Sequence, residues 1–237
     1  MAIKIRFIHP EELAAFRHTQ FVSMGLNHRQ DDLDRVRKTF EVDRAIAAFD
    51  GSTLVGTLGC ASLTLQMPGN HQCMLAGTTT VAVLPTHRRQ GIMHKMLIKH
   101  FEDAREQDKP VAGLWASQTP VYGRFGYGVA AYQNELSIPA ERLEFTGPKS
   151  DLEVCFIDAE KAKTILPEVY NKCIPHIPGT NSRSPNWWTY RRLQDSDASP
   201  FLYLIVKQQG EVSGYAQFTR TSVWQKAALT TKLPFPS

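Results

Sequence analysis

Two guanidinium groups, Arg88 and Arg89, stand just before Gly91, at the point where a β-rich run gives way to a helical one. The run Thr78 to Leu84 ends at Pro85, and Ile92 begins an amphipathic stretch directly behind the Arg88-Arg89-Gln90-Gly91 turn. In that order the first helical N–H groups have no intrahelical partner, and the helix end carries about half a positive charge. Gly91 lacks a Cβ, so a ligand oxygen can approach the backbone and a positive φ carries little penalty. The arginines add charge-assisted donors. These residue types in this order suit a bound pyrophosphate. The turn lacks the Gly-Lys-Ser/Thr close of a Walker loop, and one glycine stands where a dinucleotide fingerprint needs three.

The elements that must position this turn are legible from periodicity. Ile92, Met93, Met96, Leu97, Phe101 and Ala104 recur at helical spacing with Lys95, Lys99 and Asp103 between them, which predicts the helix behind the turn. Upstream, Ile3 to Ile8 reads as a strand, and Pro10-Glu11-Glu12 as the first turn of a helix running towards Met24. Asp31 to Phe40 reads as a shorter helix. Arg44 to Phe49 and Leu54 to Leu65 form a hairpin around Asp50-Gly51, and Met74 to Leu84 is the strand that delivers the turn. Downstream, Val111 to Ser117 is strand-like and leads into Gln118-Thr119-Pro120-Val121-Tyr122-Gly123-Arg124-Phe125-Gly126-Tyr127-Gly128.

Arg-x-x-Gly after Val81-Ala82-Val83 resembles the acyl-CoA motif of the GNAT acetyltransferases, and Tyr122-x-x-x-Gly126-Tyr127 resembles that family's later Tyr-x-x-x-Gly-aromatic segment. The two together are similar to the enhanced intracellular survival (Eis) branch, over residues 1 to about 220. Met93 departs from the family's usual Gly or Ala. The resemblance implies an α/β GNAT fold, a mixed sheet flanked by helices, that binds acetyl-CoA. Its pantetheine would pair with the edge of Val81, Ala82 and Val83 as an added strand. The turn Arg88, Arg89, Gln90, Gly91, Ile92, Met93 and His94 would hold the pyrophosphate, with Ser117 and Gln118 also in contact. Tyr122 would be the general acid that protonates the departing thiolate, a role that suits a phenol because it stays un-ionised at neutral pH. The implied reaction is direct attack of a primary amine on the acetyl thioester. The alternative is a non-catalytic acyl-CoA-binding or assembly protein that keeps the fold.

Composition is compatible with this. In 237 residues, 42% hydrophobic and 21% charged, there is room for one large domain or one and a half ordinary ones, and there is no apolar run of membrane-spanning length. The start Met-Ala-Ile-Lys-Ile-Arg lacks a signal-peptide core, so a cytoplasmic enzyme is expected. A net charge of +4, with dispersed basic residues, argues against nucleic acid as a partner. Cys60, Cys73, Cys155 and Cys173 show no paired spacing, so neither a metal nor a disulfide framework is expected. His94 and His100 do not share one ligand-binding face of their helix.

Beyond Gly147-Pro148-Lys149-Ser150, Leu152 to Ile157 reads as strand, Ala159 to Lys172 as helix and Asn181 to Trp188 as a helix start. Phe201 to Val206 and Val212 to Phe218 then form a second hairpin that echoes the first, Ser213-Gly214 against Val55-Gly56. The expectation is a GNAT domain over residues 1–145 and the start of a second, incomplete GNAT-like domain over 151–237. In the Eis branch the chain continues through a sterol-carrier-like domain whose final carboxylate serves as base. The present sequence ends at Ser237, which suggests truncation of a longer ancestor, or burial of the open sheet in a homo-oligomer. Glu41, Asp43 and Glu135 are base candidates by position only, and Asp31 and Asp32 could hold a cationic amine.

Overall fold

Residues 45–49 are almost entirely excluded from solvent on both sides of the backbone, which requires a strand with a packed layer on each face. In the computed structural model, which describes residues 2–27, 33–132, 147–148, 150–193, 200–225 and 228–232, this segment is the second strand of a five-stranded sheet. The strands are β1 (Lys4–Phe7), β2 (Ile46–Asp50), β3 (Thr53–Met67), β4 (His71–Val83) and β5 (Val111–Gly113), in spatial order 1-2-3-4-5. Neighbours are antiparallel except β4 and β5, which run parallel. Helices α1 (Leu13–Met24), α2 (Leu33–Thr39) and α3 (Ile92–Glu106) complete this part of the fold.

The alternation of β2 separates two cores. Ala45, Ala47 and Phe49 join Leu13, Phe16 and Val36 of α1 and α2 on one face. Ile46 and Ala48 join Ile92, Met96 and Leu97 of α3 on the other, with Val55, Leu58 and Cys60 of β3. Burial of side chains of this kind stabilises by about 1.5–3 kcal/mol each. Of the apolar stripe expected on α3, Ile92, Met96, Leu97 and Ala104 are buried and Met93 and Phe101 half-buried, while His100 and Asp103 are buried beside them. Asp103 is satisfied by Arg44, 59 residues away, through a close charge-assisted pair, and Gln107 donates to its other oxygen at 2.8 Å.

Two irregularities shape β4. Its register with β3 shifts between Thr57 and Gly59, so Leu58 faces an extra residue at Thr80–Val81. Thr80 takes φ +52°, and Thr57 Oγ1 donates to its carbonyl at 2.7 Å. The second irregularity is the brevity of β5. The strand expected over Val111 to Ser117 ends at Gly113, pairing only with Leu75, Ala76 and Gly77. The β5 pairing ends at Gly77, and from Thr78 to Val83 β4 keeps a sheet partner on the β3 side alone among the described residues.

The chain divides into two compact units, Met1–Ala130 with Ile177–Ser182, and Ala131–His176 with Arg183–Ser237. The short return segment of the first unit pairs with the far end of β3: Gln66 N donates to Thr180 O, and Ser182 N to Thr64 O, both at 2.8 Å. Nothing in the sequence pattern announces it. The second unit holds the sheet β6 (Glu153–Ile157), β7 (Phe201–Gln208) and β8 (Glu211–Thr219), with α4 (Ala159–Cys173) capped by Asp158. Its core gathers Leu166, Trp188 and Tyr203. A further antiparallel pair, β9 (Thr221–Gln225) and β10 (Ala228–Lys232), was not legible in the sequence. The β2–β3 and β7–β8 hairpins share one geometry. Each has a two-residue turn, then two ladder pairs, then a bulge that skips Val55 in one and Ser213 in the other, just before Gly56 and Gly214.

Candidate active site

The free side of β4 opens onto a cleft of about 1020 Å³. Its floor is Val81, Ala82 and Val83, one end is the turn Arg88, Arg89, Gly91 with Ile92, Met93 and His94 of α3, and the far wall carries Ser117, Gln118 and Tyr122. Of the residues expected to hold acetyl-CoA or to act as the acid, Gln90 alone is not on the lining; it is exposed. Ser23 and Met24 from the end of α1, and His87, Val121, Arg124 and Phe125, also line the cleft. Sequence reading missed the α1 residues because no local pattern ties Met24 to a turn more than sixty residues on.

The turn has the geometry an anion requires. Gly91 is the N-cap of α3 with φ +73°, and a Cβ built there would meet no protein atom within 4 Å. The space beside it is therefore open to a ligand, and the positive φ explains the glycine. Arg89 also takes a positive φ, +63°. Arg88 departs from the simple expectation of a phosphate ligand. Its Nε donates to Val83 O at 3.2 Å and its Nη2 to Ser23 O at 3.0 Å. The side chain thus braces the strand end and α1 against the turn, leaving part of its fork and its charge for a ligand. With Arg124 the cleft has three arginines, and no carboxylate lines it among the described residues. That is a field for a polyanion.

Tyr122 sits between two single 3-10 turns, Thr119–Val121 and Gly123–Phe125. It is half-buried, and that burial raises its pKa above the ordinary phenol value, so it keeps its proton at neutral pH. Among the described residues its hydroxyl has no hydrogen-bond partner. The ring packs edge-on against Tyr127, centroids 5.8 Å apart at 76°. Tyr127 in turn bonds Thr78 Oγ1 at 2.6 Å.

The base candidates do not converge on this cleft. Glu41 is held by Ser62, at 2.7 Å to its hydroxyl, and by Arg44 at 3.2 Å, and neither it nor Asp43 lines the cleft. Glu135, Asp31 and Asp32 lie outside the described residues. Imidazoles do line it: His87, which faces Asp50 at 3.5 Å, and His94, packed against Phe125 at 5.6 Å. No group of His, Cys, Asp and Glu suited to a metal ion occurs among the described residues, and no helix there is long and apolar enough to cross a membrane.

Comparison with known proteins bears on this arrangement directly. The sequence profile of the acetyltransferase (GNAT) domain matches residues 4–130, more than half of the chain. An uncharacterised N-acetyltransferase of Streptomyces avermitilis is 31% identical over 207 residues, which are 85% of this chain and 51% of that protein. The N-acetyltransferase Eis of Mycobacterium tuberculosis is 38% identical over 113 residues, 46% of this chain and 28% of that one. Among solved structures, Eis1 from Mycobacterium abscessus superposes with a TM-score of 0.73 at 25% identity, over 92% of this chain and 54% of its own. The present chain thus spans about half the length of the Streptomyces avermitilis protein and of Eis1 from Mycobacterium abscessus. With the strand, the glycine-capped turn and the divergence of β4 from β5 all within the matched region, the chain belongs to the GNAT acetyltransferase family, with members of the Eis branch among its relatives.

Proposed function

We propose that this chain binds acetyl-CoA along β4 and transfers its acetyl group to a primary amine in a ternary complex. The observation that carries this reading is the cleft itself: a free strand edge, a glycine-capped helix end, three arginines and a half-buried phenol around one space. The residues fit the co-substrate, because the open volume at Gly91 and a lining without carboxylates among the described residues both suit a pyrophosphate. Bound there, acetyl-CoA supplies the activated acetyl thioester.

The chain's own groups do the rest. Val81–Val83 offer backbone donors and acceptors to an extended ligand, and the bulge at Thr80–Val81 sets their direction. Arg88, Arg89 and Arg124 hold the phosphates, Arg88 while also fixing the strand end. As the amine nitrogen bonds to the acetyl carbon and the C–S bond breaks, Tyr122 gives its proton to the sulfur. The proton lost by the amine requires an acceptor, and the described lining offers imidazoles, His87 and His94. We place this GNAT domain at residues 1–145 and a partial GNAT-like repeat at 151–237; the matching bulges of the two hairpins support the repeat.

Calorimetry with acetyl-CoA and thiol release with a panel of amines test the proposal together. Tyr122→Phe is expected to keep the acetyl-CoA affinity and to lower kcat by about 100-fold. Tight acetyl-CoA binding with no amine-dependent thiol release would instead identify a non-catalytic acyl-CoA-binding protein. Unchanged affinity in both Arg88→Ala and Gly91→Trp would overturn the phosphate assignment of the turn.

A further inference from the structure

Beneath the candidate acid runs a polar chain through the core that the reaction does not use. Tyr127 and Thr78 share a hydrogen bond at 2.6 Å, Thr78 Oγ1 meets His100 Nε2 at 2.8 Å, and His100 Nδ1 meets Cys60 Sγ at 2.9 Å. Thr78 is on β4, His100 on α3 and Cys60 on β3, so three packed elements contribute one member each. The inner members are among the most buried polar groups of the first unit: His100 is 0% and Cys60 1% exposed.

The Cys60–His100 contact has the outline of a nucleophile and base, but not the chemistry of one. Burial pushes the thiol up to about 12 and the imidazole down to about 4, so both are neutral. Neither lines the cleft. A neutral imidazole has one N–H and one acceptor nitrogen, so it passes donation along the chain and leaves every member satisfied. The outer end of that chain is the Tyr127 hydroxyl. With the hydroxyl tethered and the ring against Phe101 at 5.8 Å, Tyr127 is fixed at both ends.

Tyr122 has no such tether on its side chain. Its hydroxyl is free among the described residues, and although its carbonyl accepts from Phe125 N at 2.9 Å, its N–H reaches Thr119 O only at 3.4 Å. The ring contact that orients it is the edge-on one with Tyr127. We infer that Tyr127 is a positioning residue for Tyr122, anchored through Thr78, His100 and Cys60, so that a rigid core orients a phenol whose own hydroxyl has no tether among the described residues. This rests on the acid role proposed above. A proton donor displaced by about 1 Å loses up to about 100-fold in rate, so the tether has a measurable effect.

The test is a double-mutant cycle with three readouts. Tyr127→Phe keeps the ring and removes the tether. Its kcat is expected to fall about tenfold, with acetyl-CoA affinity by calorimetry unchanged. In the Tyr122→Phe background the same change is expected to cost nothing further, because Tyr127 acts through Tyr122. Thr78→Ser, which retains the hydroxyl, should keep kcat near the parent value where Thr78→Val loses it. In protein labelled with fluorotyrosine, the Tyr122 resonance, identified by its loss in Tyr122→Phe, should shift or broaden in Tyr127→Phe. An unmoved resonance overturns the inference whatever the activity. So does a Tyr127→Phe loss that multiplies with that of Tyr122→Phe, or a wild-type kcat in Tyr127→Phe while Tyr122→Phe is impaired. A wild-type kcat in Tyr122→Phe is a different failure: it removes the acid role itself, and the inference falls with it.

Discussion

Gly91 concentrates the argument at the scale of single residues. Its φ of +73° would cost an L-residue about 1–2 kcal/mol, yet the space where a Cβ would stand is empty of protein. Gly91→Ala is therefore expected to lower stability by about 1 kcal/mol through backbone strain alone, and to weaken acetyl-CoA binding well beyond that. Gly210 provides the control, with φ +84°, open space at its Cβ position and a place in the β7–β8 turn. Gly210→Ala should show a similar drop in thermal stability and no change in acetyl-CoA affinity by calorimetry. Equal affinities in the two variants would show that no ligand uses the space at Gly91. Gly91 was legible from the sequence because the helix end and its glycine are adjacent there. The second role of Arg88 was not, because Ser23 is 65 residues away and its carbonyl carries no side-chain signal.

At the scale of elements, the bulge between β3 and β4 lies within the stretch of β4 proposed as the cofactor edge. Gly59 permits it: a Cβ at that position would stand 2.6 Å from both Phe40 Cε2 and Thr80 Oγ1. Phe40 cannot retreat freely, since it packs on Phe16 at 5.7 Å and closes the core under α1 and α2. Gly59→Ala should therefore cost about 1–3 kcal/mol by overpacking and shift Thr80, and with it the edge at Val81–Val83. Chemical denaturation reads the first effect and acetyl-CoA titration the second. A variant of parental stability and affinity would mean that the bulge adjusts without consequence. Hydrophobic periodicity exposed β2, β3, β4 and α3 to sequence reading, since each presents apolar residues at the period of its own geometry. A bulge leaves no such trace: it changes register, not composition, and here it appears only as one glycine facing a threonine. For the same reason β5 was read too long, because Leu114 to Ala116 remain apolar after the pairing with β4 has ended.

For the molecule as a whole, the buried chain from Tyr127 to Cys60 links the cleft to global stability through His100. Burial, and then the positive charge of Arg44, hold its pKa at about 4, against about 6.5 for an exposed imidazole. Lys109 acts in the same direction as Arg44, and Asp103 opposes them. Between pH 6.5 and 4 the unfolded chain binds a proton at this residue that the folded chain does not. Stability must then fall as the pH falls, by about 1.4 kcal/mol per unit from this group, and must be independent of it above about pH 7. Glutamine offers an N–H and a carbonyl without the titration, so His100→Gln isolates the effect. Urea denaturation of parent and variant from pH 4 to 8 should give a stability difference that is constant above pH 7. Below pH 6.5 the difference should move steadily against the parent. A difference that stays constant throughout would mean that the folded protein accepts the proton at His100. The ring would then donate from both nitrogens, Thr78 could no longer donate to it, and the Tyr127 tether would not depend on a neutral imidazole.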